Sequence, residues 1–221
     1  MSFWLFLEQY WPRFLSGSIT TLEQFVLGSI LAIVLSVVFG LMTLSHKRVV
    51  RGIAITYIEF FRGTSLVVQI YWIFFVLPLF GLSLSPFVAG YLAVGLNTAA
   101  YGAETVRGAI AAVPRGQWEA AYALSMTPAK RMWRIILPQA LVIMLPPWGN
   151  LLIDVLKGTA LASLIGLTEL MFQAKQINNL TFLSAQTFGA ALILYYVMSR
   201  FIVTPFVRWL ESKLRRKLSR A

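Results

Sequence analysis

The sequence predicts an all-α integral membrane protein with about five membrane-spanning helices. Three properties of the 221 residues support this fold class: 58% are apolar, only 12% are charged, and the mean hydropathy is +0.75. A soluble globular domain carries about 25% charged residues, so this chain has too few to cover a water-exposed surface. The uncharged stretches of the chain supply the five spans.

Each predicted span lies in a stretch without charged residues, since a helix needs about 20 largely apolar residues to cross a bilayer. These stretches are 24–45, 63–103, 135–153 and 176–199. The second has 41 residues, enough for two spans, and its predicted turn consists of Pro78, Gly81, Ser83, Ser85 and Pro86. The apolar segment 158–168 has only 11 residues, so we expect an interfacial or re-entrant helix there.

The basic residues are distributed unequally between the two sides of the predicted spans. Sixteen of the 19 lysines and arginines follow spans one, three and five. The positive-inside rule therefore places the N-terminus outside and the C-terminus in the cytoplasm. Residues 1–15, rich in tryptophan and tyrosine, are predicted to be an interfacial segment, 16–210 the transmembrane domain and 211–221 a basic tail. We expect the tail to lie along an anionic leaflet, with a calmodulin-like or nucleic-acid partner as the alternative.

The residue inventory argues against several functional classes. The chain has no cysteine and one histidine, His46, so it offers neither thiolate metal ligands nor the two ligands of a bis-histidine haem. It lacks a G-x-x-x-x-G-K-[ST] motif, so ATP-driven function would need a separate ATPase. No catalytic residue, metal or cofactor is predicted. Two alternatives are a membrane enzyme, which would need a buried Ser-His or Asp-Asp pair, and a secondary transporter, which usually has internal repeats; the sequence shows neither feature.

The segment between spans three and four is predicted to form two short helices that meet at a bend. Pro114 suits a first helical turn, and residues 117–124 are good helix formers. Thr127 is a suitable N-cap for a second helix that has Pro128 at its first position. A small, smooth helix face suits docking into a groove on another protein. That face is predicted to consist of Ala120, Ala121 and Leu124.

The same segment carries a motif with defined spacing. Its members are Glu119, Ala120, Ala121, Ser125, Ile135, Leu137 and Pro138. It resembles the E-A-A, three residues, G, nine residues, I-x-L-P pattern of permeases of binding-protein-dependent ABC importers. Ser125 stands where the family has glycine, which adopts a left-handed conformation at lower cost. The resemblance implies a type I importer permease fold, in which residues 109–137 form the coupling loop that contacts the ATPase.

Further motifs resemble the polar amino-acid subfamily of these permeases, the group that includes histidine and glutamine permeases. They are Glu59 to Thr64 with Val68-Gln69, Ala100-Tyr101, Ala103-Glu104, Arg107-Gly108, Lys157-Gly158-Thr159 and Ser163-Leu164-Ile165. The resemblance implies a multi-pass inner-membrane subunit that works with a second permease, two cytoplasmic ATPases and a solute-binding protein. It also implies a polar amino acid or related small zwitterion as solute, with a compatible solute or an opine as alternatives. Gly158 and Ala160 depart from the more polar residues of the subfamily.

The polar residues near the spans are candidates for a substrate pathway or for structural pairs. Glu104 with Arg107, and Glu59 with Arg62, have i, i+3 spacing and are predicted to be structural ion pairs, a gate latch being the alternative for the first. The candidate pathway residues are Gln69, Asn97, Asp154, Lys157, Thr159 and Ser163. Because ionisable groups in membranes are costly, Asp154 and Lys157 either pair with each other or contact a zwitterionic solute. The amides could instead join helices, and the hydroxyls could bond to their own helix.

Overall fold

The structure, a computed structural model, describes residues 3–218, and helices are the only regular secondary structure in that part of the chain. The α-helices are α1 Phe3–Met42, α2 Arg48–Gly63, α3 Leu66–Tyr71, α4 Pro86–Ala111, α5 Arg115–Ala123, α6 Pro128–Arg131, α7 Leu137–Gly158, α8 Leu170–Thr181, α9 Ser184–Val197 and α10 Thr204–Leu218. Three π-helical segments, Trp72–Val76, Met132–Ile136 and Met198–Val203, and two 3₁₀ segments, Leu77–Phe80 and Thr159–Ile165, connect them. The all-α fold class is confirmed.

Three continuous helical units are long and apolar enough to cross a membrane: Phe3–Met42, Pro128–Ile165 and Ser184–Lys213. Arg48–Gly63 and Leu66–Phe80 make a fourth when they are counted as one span, although they are bent by 105° relative to each other. Helix α4 has 26 residues and is therefore about 39 Å long, enough to cross as well. Its many glycines and its polar residues make it less apolar than the others. The five predicted spans overlap these four units and α4, but the second predicted span began only at residue 63, so helix α2 before Gly63 lies outside it.

The boundaries of the first and last predicted spans differ from the observed helices. Residues 3–15 are not set apart from the first span, because α1 is continuous for 40 residues through Pro12, and Phe6 and Phe14 are fully buried in the core. The last span was predicted at 176–199, but Phe182 interrupts it with a left-handed backbone, φ +56°. The spanning unit starts at Ser184 instead. Residues 211–218 of the predicted tail belong to α10, and 219–221 lie outside the described residues.

The segment 158–168 continues α7 rather than forming a separate helix. The 3₁₀ turn Thr159–Ile165 follows α7 directly and ends at Gly166, whose φ of +83° suits glycine. The chain then turns back into α8. The predicted turn between spans two and three is confirmed: Gly81 has φ +86°, and the Ser85 hydroxyl caps α4 by accepting a hydrogen bond from the Val88 N–H.

Helix α4 lies at the centre of the molecule, where it packs against α1, α2 and α7. Small residues allow this close approach. At Gly102, a Cβ atom would lie only 2.5 Å from Cζ2 of Trp148 and 2.7 Å from Cβ of Ser36 on α1. A side chain at this position would therefore force α1, α4 and α7 apart.

We expect Gly102→Ala to destabilise the protein by about 1–3 kcal/mol, the usual cost of overpacking a well-packed core. Gly108, on the same helix, is the matched control, because a Cβ atom there would meet nothing within 4 Å. Gly108→Ala should be neutral or stabilise by up to about 1 kcal/mol through helix propensity. Thermal unfolding of the purified variants in detergent measures both effects. Equal midpoints for the two variants would show that the packing at Gly102 is not limiting.

Candidate coupling loop and substrate pathway

The candidate coupling loop, residues 109–137, contains two short helices joined by a strained residue. Helix α5 follows Pro114 and ends before Ser125, which adopts a left-handed backbone with φ +52°. Thr127 then caps α6: its hydroxyl accepts a hydrogen bond from the Lys130 N–H at 3.4 Å. The structure thus has the predicted bend, and Ser125 adopts the conformation that glycine would adopt at lower cost.

Helix α5 does not present all three of the small residues predicted for its docking face. Ala120 is exposed and Leu124 is 75% exposed, but Ala121 is only 2% exposed. Successive helical residues point about 100° apart, so Ala121 is turned inward where α5 packs on the π-helical segment Met132–Ile136. The assignment of Ala121 to the docking face was wrong. The exposed face of α5 instead contains Glu119 and Ala120, and Leu124 follows at its end.

Arg131 is buried and stabilises the loop, a role that its sequence position did not indicate. The guanidinium of Arg131 lies 3.8 Å from the centre of the Tyr122 ring and 5.7 Å from that of Trp118. These cation–π contacts join α6 to α5. Gln139 of α7 adds a second link, since its side-chain amide donates to Gln117 Oε1 at 3.3 Å and to the Ile135 carbonyl at 3.0 Å.

The motif residues at the end of the loop connect it to a spanning helix. Ile135 lies in the π-helical segment, and Leu137 and Pro138 start α7. All three are partly buried, and Ile136 between them is fully buried in the core. The motif therefore contains an exposed part on α5 and a partly buried part at the start of α7.

The side-chain amides of Gln69 and Asn97 donate hydrogen bonds to backbone carbonyl groups at the sharp bend between α2 and α3. The Gln69 amide donates to the carbonyl of Phe61 at 3.0 Å and to that of Thr64 at 3.2 Å. The Asn97 amide, on α4, donates to the same Phe61 carbonyl at 3.0 Å and to Gln69 Oε1 at 3.1 Å. Unpaired carbonyls at membrane depth would be costly, so these two amides stabilise the bend and join it to α4.

The other four candidate pathway residues do not form one lining. Asp154 and Lys157 form an ion pair, with 3.6 Å between Oδ1 and Nζ, and the Lys157 side chain is 68% exposed. Thr159 is buried, and its hydroxyl donates to the Leu156 carbonyl at 2.7 Å. Ser163 is also buried and accepts a hydrogen bond from Lys175 Nζ at 3.0 Å. Asp154 and Lys157 are thus accessible to another molecule. The hydroxyls of Thr159 and Ser163 instead form hydrogen bonds within the chain.

The buried side chain of Glu169 joins three helices, and the sequence alone did not identify it as a site residue. Glu169 is fully buried and caps α8, accepting hydrogen bonds from the backbone N–H groups of Met171 and Phe172. The hydroxyl of Tyr195 on α9 donates to it at 2.6 Å, and Thr21 of α1 lies 3.5 Å away. An acidic residue directly before an apolar helical run was the available sequence signal, because the start of a helix attracts negative charge.

Glu104 is the centre of the charged cluster at one end of α4. It pairs with Arg107 at 2.6 Å and with Arg62 of α2 at 3.9 Å. No ion pair joins Glu59 to Arg62 within residues 3–218, so that predicted pair was wrong. The physical reason is tertiary: α2 packs on α4, where the Arg62 guanidinium lies over the Tyr101 ring at 5.4 Å and within reach of Glu104.

Comparison with known proteins agrees with this architecture. A family model described as "Binding-protein-dependent transport system inner membrane component" matches residues 11–216. The chain is 43% identical over 206 residues to the probable amino-acid ABC transporter permease protein y4tF of Sinorhizobium fredii (strain NBRC 101917 / NGR234), covering 90% of this chain and 86% of the relative. It is 35% identical to the L-cystine transport system permease protein TcyB of Bacillus subtilis (strain 168), covering 92% of this chain and 82% of the relative.

A solved structure gives the same result. A chain in a crystal structure of an amino acid ABC transporter with histidines superposes with a TM-score of 0.88 at 35% sequence identity, over 96% of this chain and 99% of the other. The overall fold that contains the motif on α5 and α7 and the bent α2–α3 unit is therefore shared with that chain. Together these matches show that the chain belongs to the family of inner membrane components of binding-protein-dependent ABC transport systems.

Proposed function

We propose that this chain is the permease subunit of an ATP-driven importer that moves a polar amino acid, or a related small zwitterion, across the inner membrane. A solute-binding protein delivers the solute, and two separate cytoplasmic ATPases hydrolyse the ATP. The observation that carries this proposal is the coupling loop, in which an exposed α5 is braced by Arg131 and continues into the base of α7.

The exposed surface of the loop supports a protein partner. Tyr122 and Leu124, at and just after the end of α5, are 61% and 75% exposed. Large apolar side chains grouped on the surface of a protein mark interaction sites. We assign this surface to the ATPase and orient the chain with the loop in the cytoplasm and the N-terminus outside, as the distribution of basic residues indicates.

A second permease subunit, identical or homologous, is expected to pack on the side of α2 and α3. An apolar cavity of about 400 Å³ opens at their bend and is lined by residues such as Phe60, Val68 and Trp72. Each of these three side chains is about half exposed or more in the single chain. A translocation pathway between two permeases would be closed from lipid by such contacts.

The charged pair at the end of α7 supports a zwitterionic solute. A free ammonium or carboxylate cannot cross hydrocarbon cheaply, so its pathway must offer opposite charges. Asp154 and Lys157 offer one of each, and both side chains are more than half exposed. The relatives named as amino-acid and L-cystine permeases support the same class of solute.

Uptake into proteoliposomes tests the proposal. The chain, its second permease and its ATPase are reconstituted, and the cognate binding protein is added with a panel of labelled amino acids, a compatible solute and an opine. We expect accumulation of at least one amino acid that requires both ATP and the binding protein. Accumulation of only the compatible solute or the opine would replace the amino acid as the solute class. Uptake that needs neither ATP nor the binding protein would contradict the importer mechanism.

A further inference from the structure

An apolar groove runs along the outside of the molecule between α1, α7 and α10, beside the middle of α7. It encloses about 160 Å³ and is lined by residues that include Val37 of α1, Leu141 and Leu152 of α7, and Val207 and Leu210 of α10. The groove opens onto the outer surface of the chain, since the lining residue Val37 is 38% exposed. It is separate from the cavity at the bend of α2 and α3.

The groove has the length of one leaflet. Leu141 and Leu152 lie at its two ends along α7 and are 11 positions apart in the sequence. At a rise of 1.5 Å per residue this is about 16 Å, and half of a hydrocarbon core of about 30 Å is about 15 Å. The close approach of α10 to α7 forms one wall: a Cβ atom at Gly149 would lie 2.8 Å from Val207 Cγ1.

Exposed basic residues lie one to two helical turns beyond the groove lining, on α10 and before α7. On α10, Lys213 is one helical turn beyond Leu210, is exposed, and has its ammonium 4.7 Å from the centre of the Trp209 ring. Arg134 is exposed and precedes Leu141 by about two turns. In sequence, α10 carries five basic residues and one acid, Glu211. A half-exposed tryptophan next to a cation is the usual composition of a helix at the boundary between hydrocarbon and headgroups.

We propose that this groove is a binding site for an anionic phospholipid. One acyl chain lies in the groove against α7, and the phosphate contacts Lys213 and Arg134. The apolar lining and the leaflet length select a lipid chain, and the cations select a negative headgroup, because an anionic surface attracts each nearby basic residue. The lipid site is independent of the solute that the permease carries.

Native mass spectrometry of the full chain in detergent, with dioleoyl phosphatidylglycerol or dioleoyl phosphatidylcholine added, tests the site. We expect the wild type to retain phosphatidylglycerol preferentially. Substituting Lys213→Gln and Arg134→Gln together should remove the preference, with roughly a fivefold loss of affinity for each basic residue. The matched control is Arg48→Gln with Arg51→Gln, two exposed basic residues on α2 outside the groove, which should leave the preference unchanged.

The groove itself is tested by filling it. Val37→Trp should reduce retention of both lipids, whereas Val34→Trp, at a similarly exposed position of α1 that does not line the groove, should not. Thermal unfolding without added lipid checks that both variants are folded. Equal retention in the two tryptophan variants would overturn the proposal. So would efficient cross-linking of Val37→Cys to the second permease in the assembled importer, since that result would assign the groove to a protein interface.

Discussion

Glu119→Lys and Ala120→Asp should each abolish ATP-driven uptake while the protein stays folded in the membrane. Both residues lie on the exposed face of α5, beside Leu124. A reversed or new charge that is buried without a partner in the contact with the ATPase would cost about 3 kcal/mol, which corresponds to roughly a hundredfold loss of affinity. The measurements are uptake into proteoliposomes and the yield of ATPase that copurifies with the permease.

Ala121→Asp is the informative comparison, because it makes the same change one residue further along the helix. Ala121 is buried within the chain, so the carboxylate would be desolvated where α5 packs on the π-helical segment Met132–Ile136, and it should reduce thermal stability and membrane abundance. Ala120→Asp should leave both at the wild-type level. Since the chain has no cysteine, Ala120→Cys can also be cross-linked selectively to the ATPase. Wild-type uptake and wild-type copurification in Glu119→Lys would show that α5 is not the contact.

Lys157→Met should reduce amino-acid uptake by roughly ten- to a hundredfold, the effect expected for one charge-assisted hydrogen bond of about 1.5–3 kcal/mol. The same range is expected for Asp154→Asn if the two residues receive the carboxylate and the ammonium of the solute. Both side chains are exposed, so neither change should affect stability or ATPase binding. Lys157→Arg keeps the charge and should retain most of the activity.

Lys47→Met controls for the loss of one exposed cation elsewhere on the chain, before α2. Uptake is measured at saturating binding protein, and ATPase activity in detergent is measured in parallel. A pathway role predicts lower uptake with an unchanged yield of assembled complex. If Lys157→Met, Asp154→Asn and the double variant all transport at the wild-type rate, the pair lies outside the pathway.

Much of the architecture follows from local properties of the sequence. Hydropathy and the scarcity of charge predict spanning helices because each residue contributes its own transfer free energy regardless of its neighbours. The loop helices were predictable for a similar reason: Pro114, Thr127 and Pro128 act within one helical turn. The motif from Glu119 to Pro138 identified the family, which the comparisons confirmed.

Other features depend on groups that are distant in the sequence, and local patterns predicted them incorrectly or not at all. Spacing alone paired Arg62 with Glu59, but the packing of α2 on α4 pairs it with Glu104. The break at Phe182 was missed because the whole stretch 176–199 is uncharged, and charge alone does not reveal a reversal of the chain.

The sequence by itself determined the membrane class, the approximate positions of the spans and the coupling motif, since these depend on composition and on contacts within a helical turn. Only the tertiary structure decided which face of α5 is exposed, which amides close the bend between α2 and α3, and which helices Glu169 joins. The physical reason is that a polar group in a low-dielectric interior must find a partner wherever the packing supplies one. That partner is set by the arrangement of helices, and for Glu169 and Tyr195 it lies 26 residues away along the chain.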